Sequence, residues 1–366
     1  MTLAQLTAAA PRLALVGLAK NTGKTVTLNA LLAELAATRE PVGVTSVGRD
    51  GEQRDVIDFR IEKPLVRLSA GDLVATTDGL LSASGLPHEL LERTGVRTPL
   101  GEVLLARLKG AGTVEIAGPS AAADTRAVAD SMLEQGAGRV VIDGAIDRRA
   151  ASSPEVSDGL VMSTGAILSD DMEEVVARTA AAVALVRVAP LGTEGEDARV
   201  RELAAALEPG LSALVDDGWA AHPLPERFVL TAEPASIAER LRAAGTPRVL
   251  IVGGALPQRF LDGLVPSVRR SRGTLTVVVS DATRLFLGDR DVDHYARAGV
   301  ELHVLRPIEL LALTVNPVAP QSHSFDSGGL RAQLGQAIPD VPIFDVLDPS
   351  YKGADAPAQD ARGATA

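Results

Sequence analysis

The 366-residue chain contains no cysteine. That absence excludes disulfides, zinc–thiolate sites, iron–sulfur clusters and a cysteine nucleophile. Aromatic residues make up only 2% of the chain, so stacking platforms for single-stranded nucleic acid are not expected. No hydrophobic run approaches the roughly 20 residues of a membrane span, and the N-terminal segment lacks the basic region of a signal peptide. We therefore expect a cytoplasmic protein that binds neither membrane nor nucleic acid.

The charge balance is acidic, with 36 Lys and Arg against 47 Asp and Glu and a formal net charge of −11. Partners that are polyanions favour basic stripes, so the balance points away from them. Lysine is rare, with 5 residues against 31 arginines. Two of these five lysines, Lys20 and Lys24, stand in one short segment, which makes that segment the first place to look for chemistry.

Short apolar runs alternate with amphipathic helical runs along the whole chain, which indicates an α/β fold with a covered parallel sheet. We expect a three-layer sandwich of the P-loop NTPase type with a mostly parallel sheet, followed by a second α/β region. The predicted strands cover residues 12–16, 42–47, 113–117, 140–143, 160–163, 248–252, 275–279, 302–305, 311–315 and 343–346. The predicted helices cover residues 25–38, 125–135, 201–207, 237–244 and 330–337.

Composition suggests three regions. We expect a nucleotide-binding domain over residues 1–190, a second α/β domain over residues 191–353, and a disordered polar tail over residues 354–366. Residues 51–110 are less regular and are predicted to form an insertion with its own helices.

The strongest motif is the segment GLAKNTGKT at residues 17–25, between a predicted strand and a predicted amphipathic helix. That context is the one a phosphate-binding P-loop requires. Glycines let backbone N–H groups turn inward, and these groups form a nest for phosphates at the helix N-terminus. Lys24 would neutralise the β- and γ-phosphates, and the hydroxyl of Thr25 would bind Mg²⁺. The residues expected to contact the nucleotide are Gly17, Lys20, Asn21, Thr22, Gly23, Lys24 and Thr25.

The spacing of this loop departs from the standard pattern, which has four residues between its two glycines. Here five residues separate Gly17 from Gly23, and Leu18 stands where the first glycine normally falls. The alternative is an ordinary glycine-rich turn between a strand and a helix. That alternative does not explain why two rare lysines stand there.

Two carboxylates at predicted strand ends are candidates for the metal and the attacking water. Asp143 ends an apolar strand and would supply the hard oxygen ligand that Mg²⁺ needs; alternatively, it caps the next turn. Asp50 follows the second strand and could hold Mg²⁺ through water or orient an attacking water, with Glu52 a weaker candidate. The alternative for Asp50 and Glu52 is a solvated loop carboxylate.

Other segments could complete the site. Gly118 and Ser120 are candidates for a loop that senses the γ-phosphate. Arg148 and Arg149 could clamp phosphates, or pair with Asp147.

Strand-end residues elsewhere are weaker candidates. Asp158 and the run Ser163, Thr164 and Gly165 flank one strand, and they either bind a ligand or form turns. The pairs Gly253–Gly254 and Asn316–Pro317, together with Asp281, follow strands and could approach a ligand, but strand-end turns are favoured for each. The five histidines show no metal-ligand spacing.

The five-residue spacing of the loop resembles that of dethiobiotin synthetase and of cobyrinic acid amide-forming enzymes. Its KNTGKT core is similar to that of the molybdopterin-guanine-dinucleotide adaptor proteins. All belong to the class of P-loop proteins that includes the MinD-like ATPases. In MinD-like loops the signature lysine falls at the position of Ala19, one residue before Lys20, so the resemblance does not carry a cross-dimer role over to Lys20.

Several segments together resemble the ATP-dependent reactivase subunit associated with lysine 5,6-aminomutase. The resemblance implies an ATPase that helps to exchange damaged cobalamin in an adenosylcobalamin-dependent mutase, together with a second reactivase subunit similar to the mismatch-repair protein MutS. The chain lacks the cobalamin-binding D-x-H-x-x-G motif, so cobalamin contacts would belong to a partner. The segments that carry the resemblance are LAKNTGKTVTLN, VTSVGRDGE, DGAIDRR, SSPEVSDGLVMSTGA, VNPVAP and SFD.

Three functions remain open at this point. The first is a nucleotide-driven regulatory ATPase that uses ATP and Mg²⁺, with ATP favoured because no [NT]KxD guanine-reading run is present. The second is an ATP-dependent ligase or kinase that acts on a small molecule. The third is a nucleotide-binding adaptor without catalysis.

Overall fold

The computed structural model describes residues 1–48, 65–145, 149–225, 227–245, 247–271, 273–288, 290–320 and 322–351. The chain forms two compact units. The first contains Met1–Ala180 and the chain from Glu309 onward, and the second contains Ala181–Ile308. The predicted tail at residues 354–366 lies outside the described residues.

The strands of the described residues are numbered in chain order. They are β1 (Arg12–Gly17), β2 (Val42–Ser46), β3 (Val66–Leu68), β4 (Leu73–Thr77), β5 (His88–Thr98), β6 (Gly101–Leu108), β7 (Gly112–Val114), β8 (Arg139–Ala145), β9 (Gly159–Gly165), β10 (Ala213–Asp216), β11 (Ala221–Pro223), β12 (Pro247–Val252), β13 (Leu256–Pro257), β14 (Leu275–Val279), β15 (Leu285–Phe286), β16 (Val300–Val304), β17 (Leu310–Asn316) and β18 (Ile343–Phe344).

The α-helices of the described residues are numbered in the same way. They are α1 (Leu3–Leu6), α2 (Lys24–Ala36), α3 (Asp78–Ala83), α4 (Ala122–Glu134), α5 (Met172–Val186), α6 (Gly195–Ala206), α7 (Phe228–Thr231), α8 (Pro234–Ala243), α9 (Gln258–Ser271), α10 (Val292–Arg297) and α11 (Ser327–Ala337).

The first unit is built on a nine-stranded sheet with the order β18-β17-β9-β1-β8-β2-β4-β6-β5. Neighbouring strands from β18 to β4 are parallel, whereas β6 pairs antiparallel with β4 and with β5. The chain is therefore a mixed α/β protein whose large sheet is mostly parallel. The carboxyl ends of the parallel strands meet at one edge, where ligands bind in open α/β sheets.

Apolar periodicity explains how helix α2 sits on this sheet. Strand β1 is almost wholly buried, as expected for a central parallel strand. The helix turns its leucines inward because residues three and four apart share a face. They pack in one buried cluster with Leu13 and Leu15, and they are Leu28, Leu31, Leu32 and Leu35.

The second unit contains a five-stranded sheet with the order β11-β10-β12-β14-β16. Strands β12, β14 and β16 are parallel, and the hairpin of β10 and β11 adds to the edge antiparallel. Its core includes Val215, Val249, Ile251 and Val278. The predicted strands at residues 248–252, 275–279 and 302–305 lie in this sheet.

The described part of the predicted insertion differs from the expectation. Residues 65–110 hold four strands and one short helix, α3. Strand β4 is fully buried and belongs to the main sheet, and β5 and β6 extend that sheet as a long hairpin. The expectation of an insertion built from helices is wrong for these residues because apolar strand residues here pair with the edge of the core sheet.

The strand predicted at residues 113–117 is shorter and lies elsewhere. Strand β7 pairs antiparallel with β3 in a separate two-stranded sheet. Beyond it, the hydroxyl of Thr76 donates to the carbonyl of Glu115 at 3.0 Å and accepts from the N–H of Ala117 at 3.0 Å. A side chain of the neighbouring strand thus takes the place of the strand ladder.

The chain also returns to the first unit, whereas the sequence suggested one second domain over residues 191–353. Strand β17 pairs parallel with β9, and β18 pairs parallel with β17, so both belong to the nine-stranded sheet. This return matters for function because it brings the end of β17 to the edge of the sheet where the P-loop motif lies.

Candidate functional site

The P-loop motif connects the central strand β1 to helix α2. Strand β1 lies between β9 and β8, and the N–H of Leu18 donates to the carbonyl of Ser163 at 2.9 Å. The loop then turns sharply, with Asn21 at φ 64° and Gly23 at φ 83°. The strand, loop and helix expected from the sequence are therefore confirmed as local structure.

Both glycines of the motif are required by close approach. A Cβ at Gly17 would lie 2.5 Å from Oγ1 of Thr22, whose hydroxyl donates to the carbonyl of Ala19 at 3.0 Å. A Cβ at Gly23 would lie 3.0 Å from Cβ of Asn316, and its left-handed backbone also favours glycine. The loop is compact, and Thr22 is only 2% exposed.

The N-terminus of α2 has the features of an anion-binding helix end. Gly23 occupies the N-cap position and supplies no side-chain cap, and the first helical bond runs from the N–H of Thr27 to the carbonyl of Gly23 at 2.9 Å. Helix N-termini carry unsatisfied N–H groups and a partial positive charge. Thr25 lies in the first turn of this helix and is partly exposed.

Lys24 and Asp143 meet at the mouth of this loop. The ammonium nitrogen of Lys24 lies 2.8 Å from Oδ1 of Asp143 and donates to the carbonyl oxygen of Gly144 at 2.7 Å. Both side chains of the ion pair are about a quarter exposed, at 23% and 24%. The two residues that the sequence assigned to phosphate and to Mg²⁺ are thus brought together, and they are 119 positions apart in the chain (143 − 24).

The position of Asp143 follows from its strand. Strand β8 runs between β1 and β2, and the carbonyl of Asp143 accepts from the N–H of Val47 at 2.9 Å. Among the described residues, no group of three His, Asp or Glu side chains could hold a metal. Mg²⁺ typically takes one or two protein ligands and completes its shell with phosphate oxygens and water. Thr25 and Asp143 fit that donor set.

Gly118 lies beside the end of β2 and is tied to it. Its N–H donates to Oγ of Ser46 at 2.9 Å, and the N–H of Gly48 donates to the carbonyl of Pro119 at 2.7 Å. A Cβ at Gly118 would lie 2.0 Å from the carbonyl oxygen of Ser46. The structure therefore ties the candidate sensing segment at Gly118 to the end of β2, whereas Ser120 in the same segment is exposed.

Several candidates fall outside the described residues. They are Asp50, Glu52, Asp147, Arg148 and the side chain of Arg149. Their proposed roles stay predictions.

The strand-end hydroxyls of β9 turn out to bond inside the protein. The hydroxyls of Ser163 and Thr314 are 2.8 Å apart, and that of Thr27 donates to Thr314 at 2.9 Å. Thr164 pairs with Thr179 at 2.7 Å. These contacts brace α2, β9 and β17 against each other.

The remaining strand-end candidates have local partners. Asp158 accepts from Arg12, both from the backbone N–H at 2.9 Å and from the guanidinium at 2.7 Å. In the second unit, Asp281 is fully buried and caps a short 3-10 helix by accepting from the N–H of Thr283 at 2.9 Å. Gly253 donates its N–H to Oγ of Ser212 at 3.2 Å.

The contact of Asn316 with the P-loop motif is the feature of this site that sequence reasoning missed, since the sequence favours a strand-end turn at Asn316–Pro317. Its Nδ2 donates to the carbonyl of Asn21 at 3.1 Å, inside the P-loop motif. The available signal was an amide side chain directly after an apolar strand. Sequence alone did not show that this strand lies one strand away from β1.

No protein-family model matches the chain, and no curated protein matches it. Within the described ranges, no helix has both the length and the hydrophobicity needed to cross a bilayer. The strand order and pairing of the first unit define the class of the protein, which is mixed α/β with a large, mostly parallel sheet.

Proposed function

We propose that the chain binds a magnesium nucleoside triphosphate at residues 17–25 and hydrolyses it to drive a conformational switch. The observation that carries the proposal is the pairing of Lys24 with Asp143 at the N-terminus of an uncapped helix that follows a glycine-rich loop. A P-loop sandwich needs a lysine for the phosphates and a carboxylate for the metal at the same edge of the sheet. Asp143 lies near the carboxyl end of β8, and Lys24 begins the helix that follows the adjacent strand β1.

The switch part of the proposal rests on the contacts between neighbouring strand ends. A γ-phosphate bound by Lys24 would draw it from Asp143, whose carbonyl is bonded to Val47. Next to Val47, Ser46 and Gly48 are bonded to the Gly118 segment. Phosphate binding and release can therefore reach the Gly118 segment through main-chain hydrogen bonds, as in nucleotide switches that order loops around a γ-phosphate.

We propose ATP as the nucleotide because the guanine-reading run is absent from the sequence. The resemblance to an aminomutase reactivase further suggests a MutS-like subunit and a cobalamin-dependent mutase as partners. An ATP-dependent ligase or kinase, similar to dethiobiotin synthetase, remains the alternative. The third function, an adaptor without catalysis, would bind nucleotide and turn none over.

The test is calorimetric titration of the purified chain with ATP and GTP analogues, with and without Mg²⁺, alongside Lys24→Ala. The matched control is Lys109→Ala, because Lys109 is exposed and its carboxylate partner Glu89 lies 3.6 Å away on the edge hairpin. We expect Mg²⁺-dependent binding of the adenine nucleotide by the wild type and the control. Lys24→Ala should lose it while keeping its melting temperature.

Three further results separate the alternatives. Hydrolysis that rises with a partner protein supports the switch, and ATP consumption only with a small amine or acid supports a ligase or kinase. Binding without turnover under any condition supports the adaptor. Wild-type nucleotide affinity in Lys24→Ala would reject the phosphate-binding assignment altogether.

A further inference from the structure

We infer that Asn316 is a positioning residue that holds the P-loop motif in its phosphate-binding shape from the neighbouring strand. The inference deepens the proposed function, and its nucleotide readout rests on that function. In this role Asn316 contacts the backbone of the loop and does not contact the base of a nucleotide.

The first observation is a hydrogen bond across the loop. The amide Nδ2 of Asn316 donates to the carbonyl of Asn21 at 3.1 Å. Among the described residues, Asn21 is one of only four other than glycine with a positive φ, at 64°. A left-handed residue is strained and persists where its surroundings hold it, so a donor on its carbonyl has a conformational effect.

The second observation is steric. The backbone of Gly23 packs so closely against Asn316 that a Cβ at position 23 would lie 3.0 Å from Cβ of Asn316. On the other side, a Cβ at Gly165 would lie 2.2 Å from the carbonyl oxygen of Asn316. Asn316 is therefore wedged between β9 and the last residue of the loop before α2, with glycine on both sides.

The third observation is that the wedge is itself anchored. Oδ1 of Asn316 accepts from the N–H of Val318 at 3.1 Å, which fixes the orientation of the amide. Two residues earlier on β17, Thr314 is bonded to Thr27 of α2 and to Ser163 of β9. One strand thus braces both the loop and the first turns of its helix.

These contacts define what the loop would lose without Asn316. A phosphate nest works only while successive N–H groups converge on one point. If the carbonyl of Asn21 is released, the turn at residues 21–23 gains freedom, and the N–H groups that follow it lose their common direction. The loss should concern the phosphates of any nucleotide, whatever its base.

The test compares Asn316→Asp and Asn316→Ala with the matched control Asn29→Asp. Asn29 also donates its amide to a backbone carbonyl, that of Leu65 at 3.1 Å, and accepts from the N–H of Arg67 at 3.0 Å. It lies farther along the same helix. The control therefore removes the same kind of bond while leaving the loop untouched.

The first readout is amide hydrogen exchange over residues 17–27 without nucleotide. A lost neutral hydrogen bond corresponds to about a threefold to tenfold change in an equilibrium, so we expect exchange faster by about that factor in both Asn316 variants. Asn29→Asp should leave it unchanged. Exchange at the wild-type rate in Asn316→Asp, with an intact fold, would overturn the inference.

The second readout is the affinity for ADP, GDP and adenosine. We expect ADP and GDP to weaken by the same factor, about tenfold in Asn316→Ala, which removes the hydrogen bond without adding a charge beside the phosphates, and adenosine to be unaffected. A loss confined to adenine nucleotides would overturn the inference by making Asn316 a base contact. If the wild type binds no nucleotide, the proposed function fails, and the exchange measurement still decides the role of Asn316.

Discussion

Oδ1 of Asp143 lies 2.8 Å from the ammonium nitrogen of Lys24. In the proposed function Lys24 would contact the phosphates of a nucleotide, and Asp143 would contact its metal. A magnesium nucleotide bound as we propose would therefore have to replace this ion pair. Because both groups are partly exposed, the pair is weak enough to exchange for a ligand.

We predict that Asp143→Asn abolishes the Mg²⁺ dependence of nucleotide binding while affinity without Mg²⁺ stays equal or rises. The variant would lose the proposed metal ligand and would remove the carboxylate charge that pairs with Lys24. Titration with ATP analogues over a Mg²⁺ series measures this, with the exposed Asp170→Asn as control. A Mg²⁺ titration identical to wild type would reject Asp143 as a metal ligand.

Gly118→Ala should destabilise the protein by about 2 kcal/mol or more, because its Cβ would collide with the Ser46 carbonyl oxygen at 2.0 Å. Gly79 is the matched control. It lies in helix α3 with open space around its missing Cβ, so Gly79→Ala should be neutral or stabilising by up to about 1 kcal/mol. Urea unfolding measures both. Equal stability of the two variants would show that the chain at Gly118 can shift away from β2 and avoid the collision at little cost.

Tyr351→Phe should lower the free energy of unfolding by about 1–3 kcal/mol, because it removes a donor from a buried carboxylate. The Tyr351 hydroxyl donates to Oε1 of Glu34 at 2.5 Å and accepts from the N–H of Leu3 at 3.0 Å. Glu34 is only 6% exposed. A double-mutant cycle with Glu34→Gln isolates the coupling. Strictly additive changes in the free energy of unfolding would show that Tyr351 and Glu34 are not coupled and would contradict the prediction.

The ionisation of Asp130 should make the free energy of unfolding depend on pH in the acid range. Burial alone would raise the pKa of Asp130, but hydrogen bonds from Arg126 and Arg12 outweigh it and hold the pKa below its ordinary value. The ionised form is thus favoured by folding. Its contribution is present above about pH 4 and disappears as the pH falls through the lowered folded-state value. At 38% exposure, solvent screening keeps it below about 1 kcal/mol.

The measurement for Asp130 is urea unfolding from pH 2 to pH 7 for the wild type and Asp130→Asn. The stability difference between them should be largest near neutral pH and shrink towards pH 2. A difference that stays constant with pH would mean that the loss in the variant comes from packing rather than from the charge.

Local features were predictable because each is encoded within a few residues. The apolar run of β1, the leucine spacing of α2 and the glycine-rich segment between them predicted a strand, a loop and a helix, and the structure has all three. Alternating β and α runs also predicted a mostly parallel sheet. Periodicity reports which face of an element is buried, and that information is local.

What the sequence determined by itself is therefore the strand–loop–helix unit and the residue types that it presents. The tertiary structure alone decided which strands pair. It brought Asn316 to Asn21, 295 positions away, returned β17 and β18 to the first sheet, and placed β5 and β6 at the sheet edge instead of in a helical insertion. Strand pairing depends on how apolar faces from distant segments fit together in one core, and no short window of sequence contains that fit.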